Sequence, residues 1–285
     1  MTGFSAEWLA LREAADRHAR SPEVLAAMSK WANRLATRGG TLRVLDLGAG
    51  TGGNLRCLTP HLPGRQTWTL VDEDPRLLAL ARLPPPRGCI APMRNRDGLE
   101  VHHVARDLAS AGSLTDIVAG VHLITASALF DLASEAWCQR LIHEVARPDA
   151  ALLAALTYDG RIALHPDDPF DPDIRALFNR HQRRDKGFGP ALGPTAATTL
   201  VRLAVAAGAR VVVGRSDWRL GRGERALLQA LLGGWATAAR EMQPEQAGAI
   251  EAWASRRLDQ SSAGSLRVVV GHLDVLAIWP GKPGC

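Results

Sequence analysis

An α/β fold with a doubly wound, mostly parallel sheet is predicted by three features of the sequence. Short apolar runs alternate with segments of helical periodicity from residue 42 onward. The run at 150–158 is apolar throughout, as expected of a strand that is covered on both faces. A glycine-rich turn at 48–53 joins the first run to a helix. Alternation of this kind builds a sheet with helices on both sides.

Seven strands are predicted, together with the helices that connect them. The strands are expected at 42–47, 67–71, 101–104, 121–126, 150–158, 210–215 and 266–279. Connecting helices are expected at 52–60, 75–83, 134–147 and 195–207. Two further helices precede the first strand within 5–38. The second of these starts at Ser21, followed by Pro22 and Glu23, and stops at Gly39.

The chain is interpreted as a single domain, 1–285, with three additions. An N-terminal helical cap covers 1–40 and precedes a core at 41–158. A Pro-, Gly-, Asp- and Arg-rich insertion at 159–194, with a short helix near 174–180, is predicted to act as a lid. The part at 195–285 contains a helical pair at 222–260. The segments at 84–98 and 280–285 are predicted to be loops.

Composition excludes several classes of protein. The chain has 285 residues, is 46% hydrophobic and 22% charged, and so is too apolar for intrinsic disorder. No apolar stretch is long enough to span a membrane, and the N-terminus lacks a signal-peptide core, so a cytoplasmic protein without a membrane partner is expected. The net charge of +5 rests on arginines, with only three lysines, and is too diffuse to favour a nucleic-acid partner.

The segment 44–55, VLDLGAGTGGNL, is the strongest indication of a ligand-binding site in the sequence. Gly48, Gly50 and Gly53 satisfy the dinucleotide fingerprint, whereas Asp46, Gly48, Gly50 and Gly52 satisfy a signature for S-adenosylmethionine. Asp46 favours the second interpretation. A carboxylate at the strand end serves no purpose beside a pyrophosphate, but it attracts the ammonium group of S-adenosylmethionine.

Two acids downstream support the same choice. Asp72 ends the second strand, where a carboxylate accepts hydrogen bonds from both ribose hydroxyls; this position also suits NAD. Asp107 follows the third strand, where it is placed to accept the adenine amino group. Acids after three successive strands are more specific than the glycine turn alone. An NAD-dependent oxidoreductase remains the other enzyme class to test.

The chain resembles the class I, Rossmann-like S-adenosylmethionine-dependent methyltransferases. VLDLGAGTGGN resembles motif I of that family, LVDEDP motif II, and VARDLA the adenine motif. VHLITASALFDL is similar to the segment around the fourth strand of small-molecule methyltransferases. The resemblance is close over about 42–158 and looser for the last strands. It implies the strand order 3-2-1-4-5-7-6, with the last strand antiparallel.

The resemblance also implies a cofactor site for S-adenosyl-L-methionine, with S-adenosyl-L-homocysteine as the product. Asp46, Gly48, Gly50 and Gly52 would hold the methionine moiety, and Asp72 the ribose. Asp107 and Leu108 would hold the adenine, while Ser127 and Leu129 would line the floor near the sulfonium. Ala49, Asn54 and Glu73 complete the predicted set.

The sequence departs from the family in ways that narrow the chemistry. The Asn/Asp-Pro-Pro-Tyr/Phe box of enzymes that methylate bases and glutamine is absent. The acids of a Mg²⁺-dependent catechol-type enzyme are absent too, and we predict no metal site. Enlarged additions around the mouth favour methylation of O or N in a small-molecule metabolite. A nucleic-acid or protein methyltransferase, and a non-catalytic cofactor-binding or regulatory module, are the alternatives.

Candidates for catalysis and substrate binding lie after the fifth strand and in the insertion. Tyr158 and Asp159 end that strand, where ligands bind in open α/β sheets. His181 is a candidate base, because histidine titrates near neutral pH. Asp131, Asn179, Lys186 and Trp218 are predicted to contact the substrate. The alternative for each is a structural or solvated side chain.

Two final expectations concern the N-terminal helices and the assembly. By analogy with similar proteins, these helices are predicted to cover the cofactor, so that Arg12 and Arg17 reach its carboxylate. The alternative is an amphipathic helix with a solvated basic face. A homodimer contact through the helical pair is a further hypothesis.

Overall fold

The computed structural model describes residues 4–37, 39–81, 98–110 and 114–281. Within them the strands are β1 (Leu42–Leu47), β2 (Gln66–Asp72), β3 (Leu99–Ala105), β4 (Leu123–Ser127), β5 (Ala151–His165), β6 (Arg210–Arg215), β7 (Trp218–Leu220) and β8 (Arg267–Ile278). The predicted loop at 84–98, apart from Gly98, lies outside the described residues, as do the tail from 282 and two cysteines, Cys89 and Cys285.

Ten α-helices occur in the described residues and surround the sheet. They are α1 (Ala6–Ala19), α2 (Pro22–Ala36), α3 (Gly53–Leu58), α4 (Pro75–Leu78), α5 (Thr115–Val118), α6 (Glu135–Val145), α7 (Asp171–His181), α8 (Ala196–Ala206), α9 (Arg225–Met242) and α10 (Ala247–Ser262). The hydroxyl of Ser21 accepts a hydrogen bond from the N–H of Val24, so the predicted start of α2 is confirmed.

The predicted sheet is confirmed. Its strand order is β3-β2-β1-β4-β5-β8-β6, in which β8 is antiparallel to both of its neighbours. With the predicted strands numbered from one to seven, this is the order 3-2-1-4-5-7-6 that the resemblance implies. The remaining neighbours pair in parallel, which brings the carboxyl ends of β1, β2 and β4 to one edge of the sheet.

The structure adds two features of the sheet to those predicted. β5 continues beyond residue 158 to His165, so the insertion begins as strand and not as loop. Its register against β8 shifts twice, between Ala154 and Thr157 and between Tyr158 and Ile162. The short strand β7, which is not among the seven predicted strands, pairs with β8.

Three hydrophobic clusters stabilise the fold. One cluster covers the face of the sheet under α6 and α8, and a second covers the opposite face under α2 and α3. The third joins the far half of β5 to α7, α9 and α10. The insertion and the helical pair, predicted as separate additions, therefore pack against each other. Their core adjoins the carboxyl edge of the sheet, where the candidate site lies.

Candidate functional site

The turn after β1 has the backbone that its glycines require. Gly48, Gly50 and Gly52 have φ angles of +64°, +52° and +78°, in the left-handed region that favours glycine. Gly53 is the first residue of α3 and has no positive φ. A Cβ at Gly50 would lie 2.8 Å from Cδ1 of Leu9, so α1 lies directly against this turn. The glycines with special backbone are thus those of the S-adenosylmethionine signature.

A buried polar network lies beneath this turn. Asp46 is 1% exposed, and its Oδ1 accepts a hydrogen bond of 2.8 Å from Nδ2 of Asn54. The same amide group donates to the hydroxyl of Thr125 on β4 at 2.9 Å. The second carboxylate oxygen of Asp46 is buried and has no partner among the described residues. A buried acceptor without a donor is costly, so this atom is a strong candidate for binding a cationic ligand group.

Arg20, which follows α1, reaches the same network. One of its terminal nitrogens, Nη2, donates to Oδ1 of Asn54 at 2.8 Å and to the hydroxyl of Ser127 at 3.3 Å. Its Nε and Nη1 are buried without a partner in the described part of the chain. Free donors on Arg20 and a free acceptor on Asp46 complement the carboxylate and ammonium groups of an amino-acid ligand.

Helix α1 covers the glycine turn and forms a cleft with it. The cleft is lined by Leu9, Arg12, Glu13, Asp16, Arg17 and Arg20 on one side, and by residues 48–51, 53, 54, 56, 57 and 127 on the other. Glu13 accepts two hydrogen bonds from Arg56, at 2.6 and 2.7 Å, and so ties α1 to α3. No described residue of the 159–194 insertion lines this cleft.

Burial dominates the electrostatics of Asp46 in the network beneath the turn. It raises the pKa of Asp46 to about 7, whereas the hydrogen bond from Asn54 and the charge of Arg20 lower it. Near neutral pH the carboxyl group is therefore balanced between its two protonation states. A cation placed against it would favour the ionised form.

Asp72 lies at the carboxyl end of β2, beside the turn. Its Oδ2 accepts the N–H of Gly50 at 2.8 Å, and its Oδ1 accepts the N–H of Asp74 at 3.0 Å. Each oxygen retains a second lone pair, with which it can accept a hydroxyl proton. Glu73 is exposed. The N–H of Ala49 donates a hydrogen bond to the carbonyl of Val71.

The predicted adenine residues follow β3. Asp107 is exposed, and its Oδ1 accepts the N–H of Ala109 at 2.8 Å, which lowers its pKa. Leu108 is 5% exposed, and its carbonyl accepts the indole N–H of Trp137. Leu129 lies against the turn, because a Cβ on Gly48 would be 3.3 Å from its Cδ1.

The candidates for catalysis are held by other protein groups. The Tyr158 hydroxyl donates to Oδ1 of Asn179 at 2.7 Å, and burial raises its pKa well above the usual range. Asp159 pairs with Arg161 at 2.6 Å. His181 lies 3.2 Å from Glu241 and 3.5 Å from Nζ of Lys186, and burial lowers its pKa. None of these three candidates lines the cleft, and their catalytic roles remain predictions.

Of the predicted substrate residues, Trp218 contacts two residues that line the cleft. Trp218 donates its indole N–H to Asp16 at 3.0 Å, and the guanidinium of Arg12 lies 5.0 Å from the centre of its ring. The positive charge of Arg12 also lowers the pKa of Asp131, although burial outweighs it and raises that pKa to about 6. Asn179 and Lys186 lie farther along, against Tyr158 and His181.

The sequence interpretation missed Arg20 and Thr125. It assigned the cofactor carboxylate to Arg12 and Arg17, which do line the cleft. Arg12, however, donates its Nε–H to Asp16 at 2.9 Å. The available signal for Arg20 was its position immediately before the Ser21-Pro22 helix start, which fixes the backbone there.

Among solved structures, the chain is similar to several methyltransferases. A putative type II methyltransferase from Anaeromyxobacter dehalogenans is 18% identical over 92% of this chain and 98% of that one, with a TM-score of 0.48. A Geobacter sulfurreducens S-adenosylmethionine-dependent methyltransferase, bound to S-adenosylhomocysteine, is 16% identical over 98% and 100% of the two chains, with a TM-score of 0.44. At these values the similarity indicates neither activity nor substrate.

Comparisons with protein families and with curated proteins gave no match. Among the described residues, no helix combines the length and apolarity that crossing a membrane requires.

Proposed function

We propose that the protein is an S-adenosylmethionine-dependent methyltransferase that acts on O or N of a small-molecule metabolite. The observation that carries this proposal is a pair of unsatisfied groups: the free nitrogens of Arg20, which lines the cleft, and Oδ2 of Asp46, in the buried network beneath the glycine turn. They offer an acceptor to an ammonium group and donors to a carboxylate, at the carboxyl edge of the sheet where ligands of such folds bind. S-adenosylmethionine would supply an electrophilic methyl group there.

Different residues bind different parts of this ligand. Asp46 binds the ammonium group and Arg20 the carboxylate, while Asp72 accepts the ribose hydroxyls and Asp107 with Leu108 holds the adenine. Helix α1 covers the ligand and limits the access of water. Because the electrophile arrives with the cofactor, the protein contributes chiefly alignment and dehydration.

Helix α1 covers the cleft, and a covered cleft favours a small acceptor over a nucleic acid or a protein. A methyltransferase for macromolecules needs an open groove, and a net charge of +5 over 285 residues is small for a protein that binds nucleic acid. A non-catalytic module would bind the cofactor but methylate nothing. Incubation with labelled S-adenosylmethionine and a metabolite mixture, followed by mass spectrometry, separates these outcomes.

Calorimetric titration should show binding of S-adenosylhomocysteine and none of NADH. We expect Asp72→Ala to weaken this binding by more than about tenfold, equal to about 1.4 kcal/mol, because it removes the acceptor for the ribose hydroxyls. Asp74→Ala is the matched control, because the Asp74 carboxylate bonds to Arg76 and not to the glycine turn. An unchanged dissociation constant for Asp72→Ala would contradict the ribose assignment, and binding of NADH would contradict the proposed cofactor.

The affinity for S-adenosylhomocysteine should rise about fivefold between pH 6 and pH 7. With the pKa of Asp46 at about 7, the ionised fraction grows from about one tenth to about one half, and the carboxylate is the form that attracts the ammonium group. The free protein should show the opposite trend in stability. A pKa raised in the folded state means that stability falls as pH rises from about 4 through 7.

Asp46→Asn is the control for the pH dependence of both affinity and stability, because asparagine does not titrate. Its side-chain carbonyl can still accept the hydrogen bond from Asn54. Calorimetry at pH 6 and 7 should give nearly equal affinities for this variant. Between pH 4 and pH 7, the free energy of unfolding, measured with urea, should fall less for Asp46→Asn than for the native protein. Parallel pH profiles for the two proteins would mean that Asp46 does not titrate in this range.

A further inference from the structure

The two residues between α1 and α2 are held by the last strand of the sheet. Helix α1 ends at Ala19 and α2 begins at Pro22, so Arg20 and Ser21 form the whole junction. The N–H of Ser21 donates to Oδ2 of Asp274 on β8 at 2.9 Å. Because Ser21 directly follows Arg20, a bond that fixes the backbone of Ser21 also fixes the point from which the side chain of Arg20 starts.

Asp274 holds a second backbone segment with its other oxygen. Its Oδ1 accepts the N–H of Leu156 at 2.8 Å, and Leu156 has a φ of +51°, which is uncommon for a residue other than glycine. Leu156 lies in the first register shift of β5 against β8, between Ala154 and Thr157. Asp274 is only 1% exposed. This buried carboxylate therefore ties the junction of α1 and α2 to the irregular part of β5.

Gly214 on β6 leaves the space that Ser21 occupies. It is the register partner of Asp274 on the neighbouring strand. A Cβ on Gly214 would overlap Oγ of Ser21 and would lie 2.8 Å from its Cβ. Gly214 has no positive φ, so the close approach of Ser21 is what requires a glycine there. We call the pair Asp274 and Gly214 the Ser21 socket, since one binds the backbone of Ser21 and the other makes room for its side chain.

The guanidinium of Arg20 depends on this socket, because the protein holds it at one nitrogen only. Nη2 bonds to Asn54 and Ser127, whereas Nε and Nη1 are buried without a partner among the described residues. A planar guanidinium held only at Nη2 could still turn about that contact. With the backbone fixed at Ser21 as well, the direction in which the two free nitrogens point is set.

We propose that Asp274 is a positioning residue for Arg20, and that through the Ser21 socket it directs the free nitrogens of Arg20 at the carboxylate of the cofactor. This proposal rests on the proposed function, in which Arg20 binds that carboxylate. Asp274 does not line the cleft, so it acts through Arg20 and not by touching the ligand. Loss of the socket should therefore weaken the binding of ligands that carry the amino-acid group and spare those that have only the nucleoside.

Asp274→Leu tests the bond to Ser21, because leucine has a similar shape and accepts no hydrogen bond. We expect the affinity for S-adenosylhomocysteine, measured by calorimetry, to fall about tenfold. The affinity for 5′-methylthioadenosine, which has the nucleoside and the sulfur but no amino-acid group, should stay within about twofold of the native value. In a protein that already carries Arg20→Met, Asp274→Leu should change neither affinity further, because the side chain that it positions is gone.

Matched variants separate positioning from stability. Val275→Ala truncates the next residue of β8, a buried side chain in the cluster under α6 and α8, and should destabilise the protein without changing either affinity. Gly214→Ala disturbs the socket from β6 and should reproduce the selective loss of affinity for S-adenosylhomocysteine. Adding Ser21→Gly to Gly214→Ala removes the obstructed side chain and should restore that affinity to within about threefold, since glycine is also accepted before a helix.

Equal losses of affinity for both ligands, or no loss for either, would overturn the proposal, as would a further loss in the protein that carries Arg20→Met. If Asp274→Leu does not fold, Gly214→Ala with and without Ser21→Gly decides by the same comparison of the two ligands. A native protein that does not bind S-adenosylhomocysteine would instead overturn the proposed function.

Discussion

Replacing Arg257 by methionine is expected to lower the free energy of unfolding by about 3–5 kcal/mol. The Arg257 side chain on α10 is fully buried and pairs with both carboxylate oxygens of Asp171, the first residue of α7. Its Nη1 also donates to the carbonyl of Pro166 at 2.6 Å. Methionine fills similar space but leaves the Asp171 carboxylate, 15% exposed, without the buried cation; the carboxylate retains the indole N–H of Trp253.

Urea unfolding measures this effect, and a neighbouring pair provides the control. Arg256 forms an ion pair with Asp168 at 2.8 Å, but its side chain is 51% exposed, so Arg256→Met should cost less than about 1 kcal/mol. Combining Arg257→Met with Asp171→Leu should recover most of the stability, because no buried charge is left unpaired. Equal losses for Arg256→Met and Arg257→Met would show that burial of the pair is unimportant.

Arg20→Met is expected to weaken the binding of S-adenosylhomocysteine by about 10- to 100-fold. Hydrogen bonds to a charged group contribute about 1.5–3 kcal/mol each, and the free Nε and Nη1 of Arg20 would make such bonds to the ligand carboxylate. Calorimetry on the native and variant proteins measures the change.

The control is a second ligand, because Arg20 also supports Asn54 within the protein. 5′-Methylthioadenosine shares the nucleoside and the sulfur of the cofactor but has no amino-acid group. Its affinity should be the same for the native protein and Arg20→Met, within about twofold. A similar loss of affinity for both ligands would show that Arg20 acts by supporting the turn and not by binding the carboxylate.

Local sequence signals predicted the elements of the sheet well. The strand, turn and helix at 42–58 are specified within a few residues of one another, and Gly48, Gly50 and Gly52 adopt the left-handed backbone expected of a turn. Two errors have local causes. β7 has three residues, too few for a measurable period. The continuation of β5 was missed because Asp159 and Gly160 resemble a turn, whereas the structure accommodates them in a register shift against β8.

Side chains that meet from distant parts of the chain were harder to predict. Arg20 bonds to Asn54 at a separation of 34 residues, and His181 meets Glu241 at a separation of 60. Neither contact leaves a periodic or spacing signal in the sequence. The acids at 46 and 72 were easier to select as candidates, since Asp46 is the last residue but one of β1, Asp72 is the last of β2, and the ends of parallel strands share one edge.

The position of β8 has a consequence for how the protein is made. β5 ends at His165, but its antiparallel partner β8 begins only at Arg267, so a ribosome must add the intervening residues before β5 can pair on that side. Until then the backbone N–H and C=O groups along that edge of β5 are unpaired, and the edge is prone to pairing with other chains. β8 also supplies Asp274, whose carboxylate accepts the N–H groups of Ser21, next to Arg20, and of Leu156. A nascent chain is therefore without a complete site until β8 has paired with β5, and early release would yield an aggregation-prone fragment.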